Sequence, residues 1–178
     1  MDVLEAIKTR RSVRRFKTTP VNADLILRII DAARYSPSSR NRQPWEFVII
    51  RTQDVKRKLS QIHEFSWPVR EAPVSVLVLG NQKLSARRVP QDCSCAIQNM
   101  WLAAHSFGIG CCWVAVHSTE DYIIEEKVKE ILPIPENYRV IAIIAMGYPD
   151  EKPDQKDLKS LEELIHWEEF QCTSSRKF

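Results

Sequence analysis

Glycine is scarce in this chain of 178 residues, which has only four glycines: Gly80, Gly108, Gly110 and Gly147. A dinucleotide-binding GxGxxG turn and a Walker-type phosphate loop both need closely spaced glycines, and neither can be written from these positions. The sequence therefore excludes a Rossmann-type or P-loop nucleotide site. If the protein binds a phosphate, side chains must hold it.

Long hydrophobic runs and an export signal are also missing. The longest apolar run, residues 140–146, is far shorter than the roughly 20 residues that cross a bilayer. The N-terminus lacks the layout of a signal peptide and begins like a capped helix, with Asp2 and Glu5 at capping-box spacing. Five cysteines, an odd number without an export signal, favour reduced thiols over a disulfide framework. We therefore expect a cytoplasmic protein that does not span a membrane.

The chain carries no large excess of charge of one sign, since 26 basic residues face 23 acidic ones. This balance does not indicate a nucleic-acid or membrane-surface footprint, so an anion site must be local. The four histidines are scattered without metal-ligand spacing. The cysteines in "DCSCA" and "GCCW" could ligate a metal cluster if they converged, but their apolar surroundings favour small buried thiols. We expect no metal site.

The length and the hydrophobic pattern predict one domain with a sheet covered by helices. Short runs rich in β-branched residues, mostly without polar alternation, predict strands buried on both faces. These runs are residues 46–50, 74–80, 111–116 and 139–147. Helical spacing predicts helices over residues 22–35 behind Asn22, around 55–62 and 97–104, and over 123–131 behind Ser118 and Asp121.

Beyond Pro149 the composition changes to a polar stretch, after which residues 160–170 resume helical spacing. Ser160 and Glu163 stand at capping-box spacing in this part of the chain. The pattern predicts a C-terminal arm, residues 149–178, that contains a helix. The apolar residues of this helix need a surface to cover, and such an arm often finds that surface on a partner subunit.

The segment "TRRSVRRF", residues 9–16, places four arginines around one serine. Arginines near a helix C-terminus complement the helix dipole, so the segment can be a solvated basic helix end. Alternatively, Arg10, Arg11, Ser12 and Arg14 can converge on a phosphate, because guanidinium groups bind phosphate oxygens bidentately and a serine hydroxyl adds a neutral donor. The segment alone leaves both interpretations open.

Two other stretches combine rigid backbone with polar or flexible residues. Residues 36–45, "SPSSRNRQPW", form a loop between two prolines that ends on an indole entering the core. In "FGIGCCWVAV", residues 107–116, two glycines precede a buried strand. They indicate either a tight turn or a close approach to the backbone, and a tight turn is the simpler account.

In this order and spacing, RRSVRxF, SPSSxNxQPW, GxGxxW, MGYP and a tail ending LEELIHWE resemble the nitroreductase family of FMN-dependent oxidoreductases. The resemblance runs from Val3 to about Glu168. It implies an α+β fold, a three-layer α/β/α sandwich with a mostly antiparallel central sheet. It also implies an obligate homodimer with exchanged C-terminal arms and two FMN sites at the subunit interface.

The resemblance also implies the residues that bind FMN. Those expected to grip the phosphate and part of the ring are Arg10, Arg11, Ser12 and Arg14. The loop that the other subunit is expected to lay against the flavin contains Pro37, Ser38, Ser39 and Asn41. Those expected at the flavin edge are Val114 and Ala115, through backbone amides, and Asp92, through its side chain. Many members have an arginine where this chain has Leu158, so Lys156 or Lys159 is expected to complete the phosphate site.

The activity that the resemblance implies needs no catalytic side chain, because the flavin carries the hydride chemistry. NADH or NADPH would reduce the flavin, and a nitro compound, quinone or flavin would reoxidise it in a ping-pong cycle. Relatives that consume flavin or remove halogens keep the fold and change the reaction. Outside this enzyme class, the chain could be an FMN-binding module without activity, or a small RNA-binding protein that uses residues 10–15 with Trp45 or Trp67. The even charge balance disfavours RNA binding.

Overall fold

The computed structural model of the protein describes residues 1–170, and its centre is a four-stranded sheet. The strands are β1 (Trp45–Ile50), β2 (Val74–Asn81), β3 (Gly110–Ala115) and β4 (Tyr138–Gly147). Their order in the sheet is β1-β2-β4-β3, and every neighbouring pair is antiparallel. The sequence predicted all four strands, with each end within about one residue of the observed one.

The sequence predicted the helical N-terminus, the second, third and sixth helices and the second half of the fifth, but not the fourth helix or the first turns of the fifth. The helices are α1 (Val3–Thr9), α2 (Ala23–Ala33), α3 (Gln53–Leu59), α4 (Pro68–Glu71), α5 (Val89–Ser106) and α6 (Ile123–Ile131). The predicted caps of α1 and α2 are confirmed, since Asp2 accepts from the Glu5 amide at 2.9 Å and Asn22 accepts from the Asp24 amide at 2.8 Å. Over residues 1–170, no helix is both long and apolar enough to span a bilayer.

The sheet has helices on both faces because neighbouring side chains of a strand point to opposite sides. Val76 of β2 and Ile144 of β4 pack with α2 and α5 in one hydrophobic cluster. Leu77 and Ile143 pack on the other face, in a cluster that also contains residues of α3, α4 and α6. The expected three-layer α/β/α sandwich with an antiparallel sheet is therefore confirmed.

Strand β1 departs from the expectation that all strands are buried on both faces. It lies at the edge of the sheet and pairs only with β2. Val48 and Ile49, which point to opposite faces, are 37% and 41% exposed. An apolar run does not distinguish an edge strand from a central one, so the prediction is confirmed for β2 and β4 and is wrong for β1.

The predicted helix in the arm is also wrong. The capping contact forms, because the Ser160 amide donates to the Glu163 carboxylate at 2.9 Å, but only one turn follows. Leu161, Leu164 and Trp167 remain exposed. A short helix is stabilised mainly by burying its apolar face, and no surface of residues 1–170 covers that face. The remainder of the predicted arm, residues 171–178, lies outside the described residues.

Candidate functional site

The segment from Thr9 to Phe16 is extended, not a basic helix end. Helix α1 ends at Thr9, and only Arg10 belongs to its terminus, as the C-cap. The Val13 amide then donates to the carbonyl oxygen of Cys111 at 2.9 Å, and Ser12 bridges the same residue in parallel. The arginine-rich segment therefore runs beside the free edge of β3.

The two glycines before β3 serve two different purposes. Gly108 has a φ of +75°, the left-handed backbone of a tight turn, and its missing side chain would meet nothing within 4 Å. A Cβ at Gly110 would instead lie 2.8 Å from the Cβ of Val13. Both interpretations of this stretch therefore hold, one at each glycine. What approaches Gly110 is the chain's own arginine-rich segment.

Arg10 lies against an aromatic ring and near other cations. Its guanidinium carbon is 4.3 Å from the ring centroid of Trp101. Burial lowers the pKa of Arg10, and the charge of Arg11 lowers it further. Slight desolvation lowers the pKa of Lys156, an exposed side chain, with smaller contributions from Arg10 and Arg11. Residues 10, 11 and 156, which we call the basic cluster, are thus close enough to repel one another.

Within residues 1–170, no member of the basic cluster forms an ion pair with a carboxylate. The Arg11 guanidinium donates hydrogen bonds to three backbone carbonyls, and one of them, that of Asp154 at 3.1 Å, belongs to the arm. Arg11 therefore links the arm to the arginine-rich segment. Arg10 and Lys156 keep more of their donors for a ligand. Lys159, the other predicted lysine, is exposed and makes no described contact with the arginines. The structure thus favours Lys156 over Lys159.

The rest of the arginine-rich segment is held by one carboxylate of the arm. The backbone amides of Arg14 and Arg15 both donate to Glu151, the second at 3.2 Å. The Arg14 side chain is exposed, whereas the guanidinium carbon of Arg15 lies 6.0 Å from the ring centroid of Trp67. Arg14 is therefore available for a ligand.

A cavity of about 520 Å³ opens beside the basic cluster. Arg11 and His105 give it polar groups, and Trp101 and Val13 give it an apolar wall. The start of the arm, residues 149–155, closes one side. Arg11 is the member of the basic cluster that lines this open cavity.

The outer edge of β3 offers backbone donors. The Cys111 carbonyl faces this edge, and backbone groups alternate along a strand, so Trp113 and Ala115 face it too. Val114, predicted together with Ala115, instead turns its backbone groups toward Ile143 of β4. Trp113 was not among the predicted residues, although the two-residue period of the strand, counted from Cys111, places its backbone groups on the outer edge.

The loop of residues 37–41 is held in an unusual backbone conformation. Pro37 and Asn41 are exposed, and Ser38 accepts from the Gln43 amide at 3.0 Å. Arg40, Asn41 and Gln43 have φ values of 54°, 54° and 47°, the left-handed region that costs free energy in residues other than glycine. The loop is therefore preorganised by its own contacts.

Asp92 is one of the contacts that hold this loop. Its carboxylate is 6% exposed and accepts from the Ser39 amide at 3.0 Å and from the Ser85 hydroxyl at 2.9 Å. Both oxygens therefore already have partners within the chain. The predicted contact between Asp92 and a flavin ring stays a prediction.

A single chain does not bring the loop to the basic cluster. Asp92, which holds the loop, lies near the start of α5. Trp101, whose ring contacts the Arg10 guanidinium, lies nine residues further along the same helix. At 1.5 Å per residue this separates them by about 13 to 14 Å. Residues 10, 11 and 156 lie near one another, residues 12 and 13 lie beside Cys111 at the start of β3, and residues 37–41 and 92 form a second group.

Three of the four described cysteines, Cys93, Cys111 and Cys112, are buried thiols. Burial raises the pKa of Cys93 to about 12 and also raises the pKa values of Cys111 and Cys112. Cys95 is exposed. In the part of the chain that the structure describes, no three His, Cys, Asp or Glu side chains gather as ligands for a metal.

Comparisons with known proteins match nearly the whole chain. The family model described as "Nitroreductase family" matches residues 7–78 and 66–148. A protein of Methanothermobacter thermautotrophicus named "Putative NADH dehydrogenase/NAD(P)H nitroreductase" is 40% identical over 162 residues, which cover 89% of this chain and 83% of that protein.

Solved structures are similar in fold. A structure of a protein with the same name, from Parabacteroides distasonis, has a TM-score of 0.88 and 33% identity, and the match covers 94% of this chain and 98% of that one. The FMN-dependent nitroreductase of Clostridium difficile R20291 has a TM-score of 0.85 and 27% identity, with 94% and 100% of the two chains covered.

Proposed function

Because the chain belongs to the nitroreductase family, we propose that it is an FMN-dependent oxidoreductase. It takes electrons from NADH or NADPH and passes them to a small acceptor of the nitro, quinone or flavin class. The observation that carries this proposal is the basic cluster beside the open edge of β3. That cluster includes the positions at which the family resemblance expects the FMN phosphate.

The basic cluster fits a phosphate group. Burial and the neighbouring positive charges lower the pKa values of Arg10 and Lys156, and no cation of the cluster has an acidic partner among residues 1–170, so a bound dianion would relieve the repulsion. Each charge-assisted hydrogen bond would contribute about 1.5 to 3 kcal/mol. Ser12, half-buried next to Arg11, adds a neutral donor. Lys156 supplies the positive charge that many family members have at the position of Leu158, where they carry an arginine.

The edge of β3 fits the polar edge of a flavin. The amides of Trp113 and Ala115 point away from β4, and the strand holds them in fixed positions. FMN, when bound, supplies the hydride and electron transfer. The amides and the neighbouring cations are fixed donors that stabilise negative charge developing on the ligand. No side chain of the protein needs to act as a nucleophile.

We propose a homodimer, because a second copy can bring its residues 37–41 to the basic cluster of the first. In one chain the two groups are separated by about 13 to 14 Å along α5. Apolar residues exposed on α1, including Val3 and Leu4, and on the arm, including Leu161 and Trp167, give the two copies surface to bury. An arm that crosses to the partner would cover its own exposed residues.

An absorbance spectrum of the purified protein, followed by anaerobic addition of NADH or NADPH, tests the proposed activity. We expect a yellow protein that bleaches with at least one of the two nucleotides. A colourless protein that cannot be loaded with FMN would contradict the proposal. A yellow protein that never bleaches would favour a binding module, and release of halide from a halogenated phenol would favour a dehalogenating enzyme.

Single substitutions test the phosphate site. Arg10→Ala and Lys156→Ala should each raise the dissociation constant of FMN by about tenfold, as expected for the loss of one charge-assisted hydrogen bond. Lys159→Ala is the matched control, since it removes the same charge from an exposed position three residues away. Equal losses in the two lysine variants would contradict the assignment of Lys156.

A further inference from the structure

A second basic concavity lies near the other end of α5. It has a volume of about 300 Å³ and is formed by two short stretches of chain that face each other. The residues of this arginine cleft are Ser39, Arg40, Arg42, Ser85, Ala86, Arg87 and Arg88. All four arginines are exposed, and none of them forms an ion pair within residues 1–170. Four positive charges therefore share one concave surface.

The width of the arginine cleft is fixed by hydrogen bonds between its walls. Asp92 accepts from the Ser39 amide of one wall at 3.0 Å and from the Ser85 hydroxyl of the other at 2.9 Å. Arg42 also crosses the cleft and donates to the Leu84 carbonyl at 3.0 Å. Asp92 is a buried carboxylate, and both its oxygens serve the walls. The four arginines thus outnumber the one acid that touches the cleft.

The backbone of one wall is held in a conformation that costs free energy. Arg40, with a φ of 54°, is a left-handed residue other than glycine. Its position between Ser39, which Asp92 holds, and Arg42, which reaches the opposite wall, maintains that conformation. The backbone of this wall is therefore held in place at Ser39 and Arg42, and the side chains of Arg40, Arg87 and Arg88 are exposed.

We propose that the arginine cleft binds a phosphate group of the nicotinamide donor, foremost the 2′-phosphate of NADPH. This assignment rests on the proposed function, which supplies the donor. Guanidinium groups bind phosphate oxygens bidentately. A phosphate monoester carries close to two negative charges near neutral pH, so it matches four arginines better than the singly charged groups of a pyrophosphate do.

The position of the cleft agrees with this ligand. Ser39 belongs both to the cleft and to the loop that is expected to face the flavin. A dinucleotide whose nicotinamide stacks on the flavin therefore has a phosphate-binding surface adjoining the same loop. The cleft lies apart from the basic cluster, at the other end of α5, so the two anion sites can be filled together.

The first experiment measures binding without any redox reaction. Isothermal titration of the protein as purified should show adenosine 2′,5′-bisphosphate binding at least about tenfold more tightly than adenosine 5′-monophosphate, because only the first carries the 2′-phosphate. Arg87→Gln together with Arg88→Gln should reduce the affinity for the bisphosphate by at least about tenfold. Arg57→Gln, an exposed arginine on α3, is the control and should leave it within about twofold.

The second experiment measures KM for NADPH and NADH with a quinone acceptor. A rise in KM for NADPH alone in the double variant identifies the 2′-phosphate, and equal rises for both nucleotides identify the pyrophosphate. Unchanged KM values for both, together with unchanged binding of the bisphosphate, would overturn the inference. If the double variant has a lower melting temperature than the parent, the two single variants are used in both experiments in its place. As a further check, the affinity of the unaltered protein for the bisphosphate should fall as the salt concentration rises.

The two proposals can fail separately. A protein that does not hold FMN, or does not bleach, contradicts the proposed function, and the titration with bisphosphate still reports on the cleft. A protein that bleaches with NADPH but does not distinguish the bisphosphate from the monophosphate, and whose double variant is unchanged in both experiments, contradicts only the cleft.

Discussion

The Nε2 atom of His63 lies 3.0 Å from the carbonyl oxygen of Ala115. The other ring nitrogen of His63 accepts from the Phe65 amide at 3.1 Å, so Nε2 carries the hydrogen and donates it to Ala115. His63 lies in the connection between α3 and α4, and it therefore ties that connection to the outer edge of β3. The Ala115 amide on the same edge is a proposed flavin contact.

Replacing His63 should loosen the edge of β3. We expect His63→Ala to lower the free energy of unfolding by about 1 to 3 kcal/mol, because two hydrogen bonds are lost. It should also weaken FMN binding several-fold. His63→Gln is the control, since its side-chain amide can still donate to Ala115. Urea unfolding and FMN titration measure the two effects. An alanine variant that binds FMN like the parent would contradict the link to the flavin site.

Gly110→Ala should displace the arginine-rich segment. Its new Cβ would lie 2.8 Å from the Cβ of Val13, and such overpacking costs about 1 to 3 kcal/mol. Gly108→Ala is the control, because it strains a left-handed residue at a cost of about 1 to 2 kcal/mol but meets no neighbouring atom. Both variants should unfold at lower urea concentrations, and only Gly110→Ala should also lose FMN affinity. Equal FMN affinities would show that the segment tolerates the shift.

Glu125→Gln should be strongly destabilising. This buried carboxylate lies 2.8 Å from Nε of Arg139 and 3.3 Å from Nζ of Lys129, and it also accepts from the Val140 amide at 2.9 Å. Removing its charge leaves the mostly buried Arg139 without a counter-charge, at a cost of about 3 to 5 kcal/mol. Glu126→Gln on the exposed side of the same helix should change the free energy of unfolding by less than about 0.5 kcal/mol. Similar values for the two variants would contradict the role of Glu125.

Stability should fall as the pH drops below the ordinary histidine pKa of 6.5. Burial lowers the pKa of His117 in the folded protein, and the charge of Arg139 lowers it further. Between the folded and the ordinary pKa the unfolded chain binds more protons, so the free energy of unfolding decreases as the pH decreases. The contribution is fully present above pH 6.5 and is lost below it.

His117→Gln should reduce this pH dependence, as measured by urea unfolding at several pH values. Part of the slope should remain, because burial and the charges of Arg10 and Arg11 lower the pKa of His105 in the same direction. A variant with the parent's full slope would show that His117 does not contribute.

Features set by neighbours in the sequence could be predicted before the structure was known. Asn22 accepts from an amide two residues away, so the start of α2 depends on local residues alone. The central strands β2 and β4 are apolar on both faces, and their ends were predicted within about one residue. The antiparallel direction of the strands came from the family resemblance.

Features set by distant contacts could not be predicted. Nothing near Asp92 in the sequence indicates that its carboxylate accepts from Ser39, 53 residues away. The direction of the Val114 backbone depends on which side of β3 pairs with β4. The arm has the spacing of a helix, but its apolar residues find no surface among residues 1–170. The preference for Lys156 over Lys159 likewise depends on how the arm returns to Arg10 and Arg11.

Helix α5 serves as a spacer of set length between the basic cluster and the arginine cleft. A helix resists stretching, so the spacing depends on the number of residues in α5 and not on the conformations of the loops at its ends. Inserting one turn would move the two anion sites apart by about 5.4 Å without altering a residue of either. Because the proposed dimer joins the basic cluster of one chain to residues 37–41 of the other, the length of α5 sets the distance between two different ligand sites and not the size of one ligand.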